Sequence, residues 1–142
     1  MVGSLTLTVA AVFSGAALYI NVVEQPARLT LDDRALLAEW KPAYKRGFAM
    51  QSALAILGFA LGLVTWRQTS DVTWLFGALA MIANWPFTLL AIMPTNRQLT
   101  ATSADKADAR TRQLIRKWGY LHGVRTALGF TAVLLFLMGS AS

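Results

Sequence analysis

The chain has 142 residues, of which 56% are hydrophobic and only 14% charged, and its net charge is +6. A soluble domain has about a quarter charged residues, so this composition excludes an ordinary soluble domain and an intrinsically disordered chain. The sequence has no cysteine and a single histidine, which excludes a disulfide framework, a thiolate metal site and a cysteine nucleophile.

Four long runs contain no charged residue, namely residues 1–23, 47–66, 72–96 and 126–142. A helix needs about 20 apolar residues to cross the hydrocarbon core of a bilayer. The runs therefore predict four membrane spans, at about residues 3–24, 47–66, 73–93 and 118–139. The first run lacks the basic start of a signal peptide, so we expect a permanent helix. The predicted fold is all-α: a single-domain integral membrane protein, built as an antiparallel bundle of four transmembrane helices.

Eleven of the thirteen basic residues lie in the connections that follow spans 1 and 3. Short loops rich in Lys and Arg stay in the cytoplasm. The pattern predicts both basic connections inside, both termini outside, and a location in a bacterial inner membrane. Membrane-orienting Lys and Arg residues account for the net positive charge. We therefore expect the lipid bilayer as partner and do not expect a nucleic acid. Self-association into a homo-oligomer is left open.

The connections carry helix signals of their own. Thr30-Leu31-Asp32-Asp33 resembles a capping box, which would begin a short interfacial helix that ends at Pro42. Ser103 is a candidate N-cap, and no helix breaker follows it, so one helix is expected to run from there into span 4. The link between spans 2 and 3, residues 67–71, is short and predicts a tight antiparallel hairpin.

Each span contains polar residues, although polar side chains in hydrocarbon are costly and usually face the bundle interior or a wet cavity. Span 2 begins with Gln51 and Ser52. On span 4, Trp118, His122 and Arg125 share one helix face because they are spaced by four and three residues. The predicted lining of one shared cavity in the cytoplasmic half comprises Asn21, Glu24, Asn84, Thr88, Asn96, Trp118, His122 and Arg125.

Structural roles remain open for several of these residues. Asn84 could bond to a neighbouring helix, or could join Thr88 in satisfying the backbone groups that Pro86 frees, where a kink is expected. Glu24 could form an interfacial ion pair with Arg28, one helical turn further along span 1.

Arg125 lies about two helical turns from Trp118, which is deep for a side chain that must reach the headgroups. Pairing with the carboxylate of Glu24 is therefore the favoured interpretation for this arginine. A single buried histidine is more often a satisfied hydrogen-bonding group than a ligand. A neighbouring arginine nevertheless raises the chance of a functional role for His122.

Three motifs occur in order along the chain: the run from Gly15 to Arg28, Trp85-Pro86-Phe87-Thr88 followed by Pro94-Thr95-Asn96-Arg97-Gln98-Leu99, and the run from Trp118 to Thr126. Together they resemble the anthrone oxygenase-like family of small four-helix membrane proteins. The resemblance extends over nearly the whole chain. It implies a four-helix membrane fold and an oxygenase-like activity, since fungal relatives oxidise the central methylene of anthrones to a quinone carbonyl with dioxygen. It implies no established cofactor.

The resemblance points to His122 and Trp118 as functional positions, with Asn96 and Arg125 beside them. An anthrone is acidic at its methylene because the carbanion is an aromatic phenolate, and a neutral histidine can accept that proton. An arginine can stabilise the oxyanion that develops. We therefore predict His122, Arg125 and Trp118 as catalytic residues, and no metal ligand. The predicted residues for binding a flat, apolar aromatic substrate are Tyr19, Asn21, Glu24, Tyr44, Asn84, Trp85, Thr88 and Asn96.

Whether the protein is an enzyme is left open, and two alternatives are considered. The first is a non-catalytic module that binds haem, quinone or lipid, or that acts as a partner subunit. His122 could then be an axial haem ligand, although a bis-histidine site would need a second chain. The second alternative is a small exporter, which the strong bias in loop charge and the position of Glu24 at the end of its span disfavour.

Overall fold

The structure is a computed structural model that describes all 142 residues, and it consists of helices and their connections. Each of the four helices is long and apolar enough to cross a membrane. We name them α1 (Val2–Arg28), α2 (Asp33–Thr69), α3 (Val72–Ala101) and α4 (Ala109–Ala141). Large apolar side chains such as Val22, Leu90 and Leu134 are more than half exposed. The helices thus fit an integral membrane protein.

Consecutive helices pack side by side, and α4 closes the ring by packing against α1. Short connections make the neighbours antiparallel, so both termini lie at the end that holds the turn at Ser70 and Asp71. There the hydroxyl of Ser142 donates to Asp71 Oδ2 at 2.7 Å. At the opposite end, Arg112 Nε of α4 donates to Asp33 Oδ1 of α2 at 2.6 Å. The predicted all-α fold of four antiparallel helices is confirmed.

Helix α2 joins the predicted interfacial helix and the predicted span 2 into one continuous helix. Its N-cap is Asp32, whose side chain accepts a hydrogen bond from the backbone N–H of Ala35 at 2.8 Å, whereas the hydroxyl of Thr30 donates back to Ala27. The predicted capping box is therefore wrong. The predicted end at Pro42 is also wrong, because α2 passes through it. Pro42 has no N–H to donate to the backbone of α2. The packing of the fully buried Trp40 side chain, just before the proline, outweighs the loss of that hydrogen bond.

Helix α4 starts later than predicted. Ser103 leads only into one 3-10 turn, Ala104–Lys106, and caps nothing with its side chain. The cap of α4 is Asp108, whose side chain accepts from the backbone N–H of Thr111 at 2.9 Å. In return, the hydroxyl oxygen of Thr111 accepts from the backbone N–H of Asp108 at 3.2 Å. From Ala109 the helix then runs unbroken to its end.

Two π-helical segments interrupt the regular turns, Ile20–Glu24 in α1 and Thr88–Ile92 in α3. Each ends two residues before a proline, Pro26 and Pro94. A proline has no N–H to give to the carbonyl four residues earlier, and in both helices that carbonyl lies within the π segment. In span 3 the α-helix continues through Pro86, where a kink is predicted, and the π segment begins two residues later at Thr88. Such segments often occur at functional sites.

The buried apolar side chains form two clusters separated along the helices. The outer cluster, at the end with the termini, contains Ala10, Phe13, Ala55, Trp74, Met81, Ala132 and Phe136. The inner cluster, at the basic end, contains Leu36, Leu37, Trp40, Ile92, Leu99, Ile115 and Trp118. Along α1, α2 and α4 the positions between the two clusters carry most of the polar residues that the sequence singled out.

Candidate functional site

A cavity of about 250 Å³ lies between α1 and α2 and is bounded by α3 and α4. Both π segments contribute to its wall, which is mixed in character: nine of its sixteen residues are hydrophobic. The lining consists of Ala16, Tyr19, Ile20, Glu24 and Arg28 of α1, Ala43, Tyr44, Gly47, Phe48, Met50 and Gln51 of α2, Ile92 and Asn96 of α3, and Trp118, His122 and Arg125 of α4.

His122 is held by an asparagine of the opposite helix. Its Nδ1 lies 2.8 Å from Asn21 Oδ1, and the same oxygen accepts from the Thr126 hydroxyl at 2.7 Å. The amide nitrogen of Asn21 donates to the carbonyl oxygen of Gly119 at 2.9 Å, which turns the amide oxygen toward the imidazole. A neutral imidazole has one donor and one acceptor nitrogen. Nδ1 is therefore the donor, and Nε2, which has no partner in the chain, is the acceptor.

Close approach of α1 to α4 makes this contact geometrically feasible. A Cβ at Gly119 would lie only 2.7 Å from the side-chain nitrogen of Gln25. With glycine there, that nitrogen donates to the carbonyl oxygen of Ile115 at 2.8 Å. Gln25 and Asn21 thus clamp consecutive turns of α4, and this clamp sets the depth of His122 relative to α1.

Arg125 lies one turn beyond His122 on the same face of α4. It is only 6% exposed, no carboxylate lies within ion-pair distance of it, and its buried Nε has no hydrogen-bond partner. The guanidinium carbon lies 5.8 Å from the centre of the Phe13 ring. The predicted pairing of Arg125 with Glu24 is wrong, and the cavity contains a buried cation without a counter-ion.

Glu24 is bound instead by Arg28, one turn further along α1. The Nε of Arg28 also lies 2.9 Å from a carboxylate oxygen of Glu39 on α2, and its guanidinium carbon lies 5.6 Å from the centre of the Trp118 ring. Arg28 is buried, and the carboxylate of Glu39, which the sequence analysis did not single out, pairs with it inside the bundle. The alternative of an ion pair between Glu24 and Arg28 is the arrangement observed.

Aromatic rings form the inner end of the cavity. Tyr44 stacks on Trp40, with ring centres 4.7 Å apart and planes within 4°. The hydroxyl of Tyr44 accepts from Asn96 Nδ2 at 3.1 Å. Trp118 packs edge-on against Trp40 at 5.9 Å and lies 5.0 Å from the imidazole of His122. The predicted positions Tyr44, Asn96, Trp118 and His122 therefore share one wall.

Gln51, like Arg28, is a polar cavity residue that the predicted set leaves out. Its side chain is 1% exposed, and neither its amide oxygen nor its amide nitrogen has a partner in the chain. The polar start of span 2 is the signal in the sequence, but nothing in the pattern distinguishes Gln51 from the adjacent Ser52. Packing decides, since Gln51 faces the cavity and Ser52 does not.

Four predicted residues do not line this cavity: Asn21 bonds to His122 without forming part of the wall, and the other three lie on α3. Asn84, Trp85 and Thr88 of α3 line a separate small void of about 10 Å³ against α2. Arg125 and Phe48 line both spaces. Apart from Asn21, the residues predicted to share one cavity are thus divided between two neighbouring spaces, and Arg125 lines both.

The margin of the cavity toward the outside of the bundle is formed by α1 and α2. Tyr19 and Met50 line the cavity and are 57% and 47% exposed. Gly47 also lines the cavity, and the nearest atom to a Cβ at this glycine would be Ile20 Cδ1 of α1, 3.9 Å away. These residues lie in spans that the hydropathy pattern places in the bilayer. The cavity therefore borders the lipid-facing surface at a gap between two helices.

A family model for anthrone oxygenases matches residues 40–135 of the chain. The chain belongs to the anthrone oxygenase family. It is 27% identical over 145 aligned residues to an anthrone oxygenase of Claviceps purpurea, covering 91% of this chain and 82% of the relative. It is also 30% identical over 123 residues to the anthrone oxygenase tpcL of Aspergillus fumigatus, covering 80% of this chain and 76% of the relative. No solved structure matches the chain. The family assignment made from three motifs is confirmed.

Proposed function

We propose that the protein is a membrane oxygenase that oxidises the acidic methylene of an anthrone-type or other flat aromatic compound to a carbonyl, with dioxygen as oxidant and without a bound cofactor. His122 is the general base and Arg125 binds the oxyanion. Membership of the anthrone oxygenase family supports an oxygenase-like activity, and the cavity supports the assignment of roles.

The observation that carries the proposal is the buried guanidinium of Arg125 without a carboxylate partner. Burying a charge is costly unless it is paired and hydrogen-bonded. A ligand that becomes anionic in the cavity would supply the missing charge. The partnerless Nε2 of His122, on the preceding turn of the same helix face, would create that anion by taking a proton from the ligand. A base and a cation on adjacent turns suit substrates that react through an enolate.

The proposed reaction is balanced without a metal. Nε2 of His122 accepts one methylene proton, and the carbanion is delocalised as a phenolate beside Arg125. One electron passes to dioxygen, and the substrate radical and superoxide combine to form a carbon–oxygen bond. The imidazolium returns its proton to the peroxide. Loss of the second methylene proton then cleaves the oxygen–oxygen bond, which releases water and leaves the carbonyl.

The shape of the cavity suits a ligand of a few fused rings. Small-molecule pockets commonly measure about 300–1,000 Å³, so 250 Å³ is at the small end. The stacked rings of Trp40 and Tyr44 and the edge of Trp118 offer aromatic contacts to a flat molecule. Tyr19 and Met50, exposed at the cavity margin, would allow an apolar substrate to reach the site from the bilayer. We place the basic end of the bundle in the cytoplasm and both termini outside.

The test is turnover of a hydroxylated anthrone by the purified protein in lipid nanodiscs, followed by dioxygen consumption and by quinone absorbance above the rate in empty nanodiscs. A general base contributes about 10²–10⁴ in rate, so His122→Ala is expected to lose that factor. Adding imidazole should restore part of the loss, because a free base can occupy the space left by the side chain. Gel filtration and thermal unfolding check that the variant is folded.

Two results would count against the proposal in different ways. A wild type that turns over no such compound in air would favour the non-catalytic alternative, and a haem or quinone absorbance band in the purified protein would then identify its ligand. An active wild type with an equally active His122→Ala variant would leave the oxygenase assignment in place and remove the histidine as base.

A further inference from the structure

The small void beside the main cavity has polar groups that nothing in the chain satisfies. Thr88 and Asn84 are 4% and 1% exposed, and Thr88 Oγ1 and Asn84 Oδ1 have no hydrogen-bond partner. The amide nitrogen of Asn84 donates back to the Met81 carbonyl at 3.1 Å, which leaves its oxygen available. Burying such groups without a hydrogen-bond partner is costly, so a molecule bound in the void would supply the missing hydrogen bonds.

The size of the void limits what it can hold. A space of about 10 Å³ takes roughly one water-sized molecule and cannot accept an aromatic ring. The walls combine the apolar Phe48, Ala55 and Leu89 with polar groups. A diatomic molecule or a single water is the largest occupant that fits.

The position of the void links it to the chemistry proposed above. Arg125 lines both spaces, and its Nε is buried without a partner. A molecule in the small void would therefore lie next to the same guanidinium that faces the main cavity. Dioxygen is uncharged when it enters and becomes an anion when it accepts an electron, so a buried cation at this place favours the reduced form.

We propose that this void binds dioxygen and the superoxide formed from it, so that the co-substrate occupies a site separate from that of the aromatic substrate. The inference rests on the proposed oxygenase function. The carbanion in the main cavity gives one electron to dioxygen in the void, producing a substrate radical and superoxide. The Nε–H of Arg125 and the hydroxyl of Thr88 donate to the superoxide, which then forms the carbon–oxygen bond. Asn84 Oδ1 accepts from the O–H of the protonated peroxide.

The experiment separates the dioxygen step from the proton step. Under anaerobic conditions in D₂O, the proposed base exchanges the substrate methylene protons without any oxidant, and NMR measures the rate. With saturating substrate and varied dioxygen, the initial rates give kcat/KM for dioxygen. Thr88→Val removes the hydroxyl and keeps the shape of the side chain. It is expected to lower kcat/KM for dioxygen about ten-fold, the effect of losing one hydrogen bond of roughly 1.4 kcal/mol, and to leave the exchange rate unchanged.

A second variant approaches the void from α2. Ser52→Val fills space at its wall without removing either donor, and it should lower kcat/KM for dioxygen in the same direction. The matched control is Thr65→Val, the same substitution at a threonine that is buried in the outer half and bonded to Thr6 at 3.1 Å. Its dioxygen dependence should equal that of the wild type.

The outcomes are distinguishable. Equal dioxygen dependence in wild type, Thr88→Val and Ser52→Val, with normal turnover, would mean that the void holds only a structural water, and the inference would be wrong. A slowed anaerobic exchange in Thr88→Val would also overturn it, because the residue would then act on the base or the substrate. Absence of both exchange and turnover in the wild type would instead refute the proposed function.

Discussion

The outer and inner halves of the bundle are made from the same four helices, but α2 packs closely against a neighbouring helix in one half and loosely in the other. In the outer half, a glycine brings the backbones of α2 and α3 together: a Cβ at Gly62 would lie 2.9 Å from Ala78 Cβ and 3.3 Å from Ala78 Cα. In the inner half, a Cβ at Gly47 would have no neighbour nearer than 3.9 Å, and a cavity of about 250 Å³ remains open.

The two halves also differ in the hydrogen bonding of most of their buried polar side chains, although Trp74 Nε1 of the outer cluster has no partner. The buried hydroxyls of the outer half are satisfied within the chain: Thr6 bonds to Thr65 at 3.1 Å, and Ser14 donates to the Ala10 carbonyl at 2.8 Å. In the inner half, Gln51 and Arg125 keep buried groups without partners. Membrane helices gain little from apolar burial alone and depend on close packing. Close packing in the outer half therefore stabilises the fold, although the inner half is polar and incompletely packed.

The largest effect should come from opening the outer half. Phe136 is fully buried and stacks on Trp74, with ring centres 5.3 Å apart. Replacing a buried phenylalanine by alanine costs about 3–5 kcal/mol. We expect Phe136→Ala to cost the lower value, because a bilayer removes the water-transfer part of that cost. Reversible unfolding in mixed micelles measures it.

The control for this prediction is Phe130→Ala on the same helix, at a side chain that is 40% exposed. Its unfolding free energy should hardly change. Turnover per folded molecule should be normal in both variants if the outer half only stabilises the site. A large loss of turnover in folded Phe136→Ala would show that the two halves are coupled.

A change at the cavity margin should have a smaller effect, and on activity alone. Gly47→Leu places a branched side chain in the gap between α1 and α2, beside Tyr19 and Met50, where space exists. We expect kcat/KM for a lipid-dissolved anthrone to fall several-fold, with little change in unfolding free energy. Gly15→Leu is the matched control, since a Cβ at this exposed glycine meets nothing within 4 Å. Equal activity of the two variants would mean that substrate reaches the cavity by another route.

The sequence predicted the parts of this comparison that depend on single helices. Hydropathy located all four helices, and spacing along α4 correctly put Trp118, His122 and Arg125 on one face. The sequence did not predict which side chains pair between helices, because such contacts depend on how far one helix is shifted along its axis relative to its neighbour. Asn21 meets His122 where α1 and α4 approach closely, beside the contact of Gln25 with Gly119.

Competition between neighbours explains the main error at the site. Glu24 had two arginines within plausible reach, and periodicity could not rank them. In the structure Arg28 is one turn away on the same helix and is held in place by Glu39 of α2, so Arg125 is left unpaired. The helix ends were misplaced for a related reason. Helix α2 continues through Pro42 because the buried Trp40 packs in the core, and helix propensity along the sequence does not include such tertiary contacts.

The smallest effect should come from the end of α4 that lies outside both halves. Hydrogen bonds from the backbone N–H and hydroxyl of Thr111 hold the pKa of Asp108 below its usual range. A carboxyl whose pKa is lower in the folded state contributes stability above its unfolded pKa of about 3.9, and this contribution is lost as pH falls through the folded pKa. Asp108→Ala should therefore lower the melting temperature slightly at pH 7, and the difference from wild type should shrink toward pH 3.

Asp108→Asn keeps an N-cap without a titrating group and should show no such pH-dependent difference. A gap between wild type and Asp108→Ala that stays constant from pH 7 to pH 3 would mean that the carboxylate charge contributes nothing and that only the cap geometry matters.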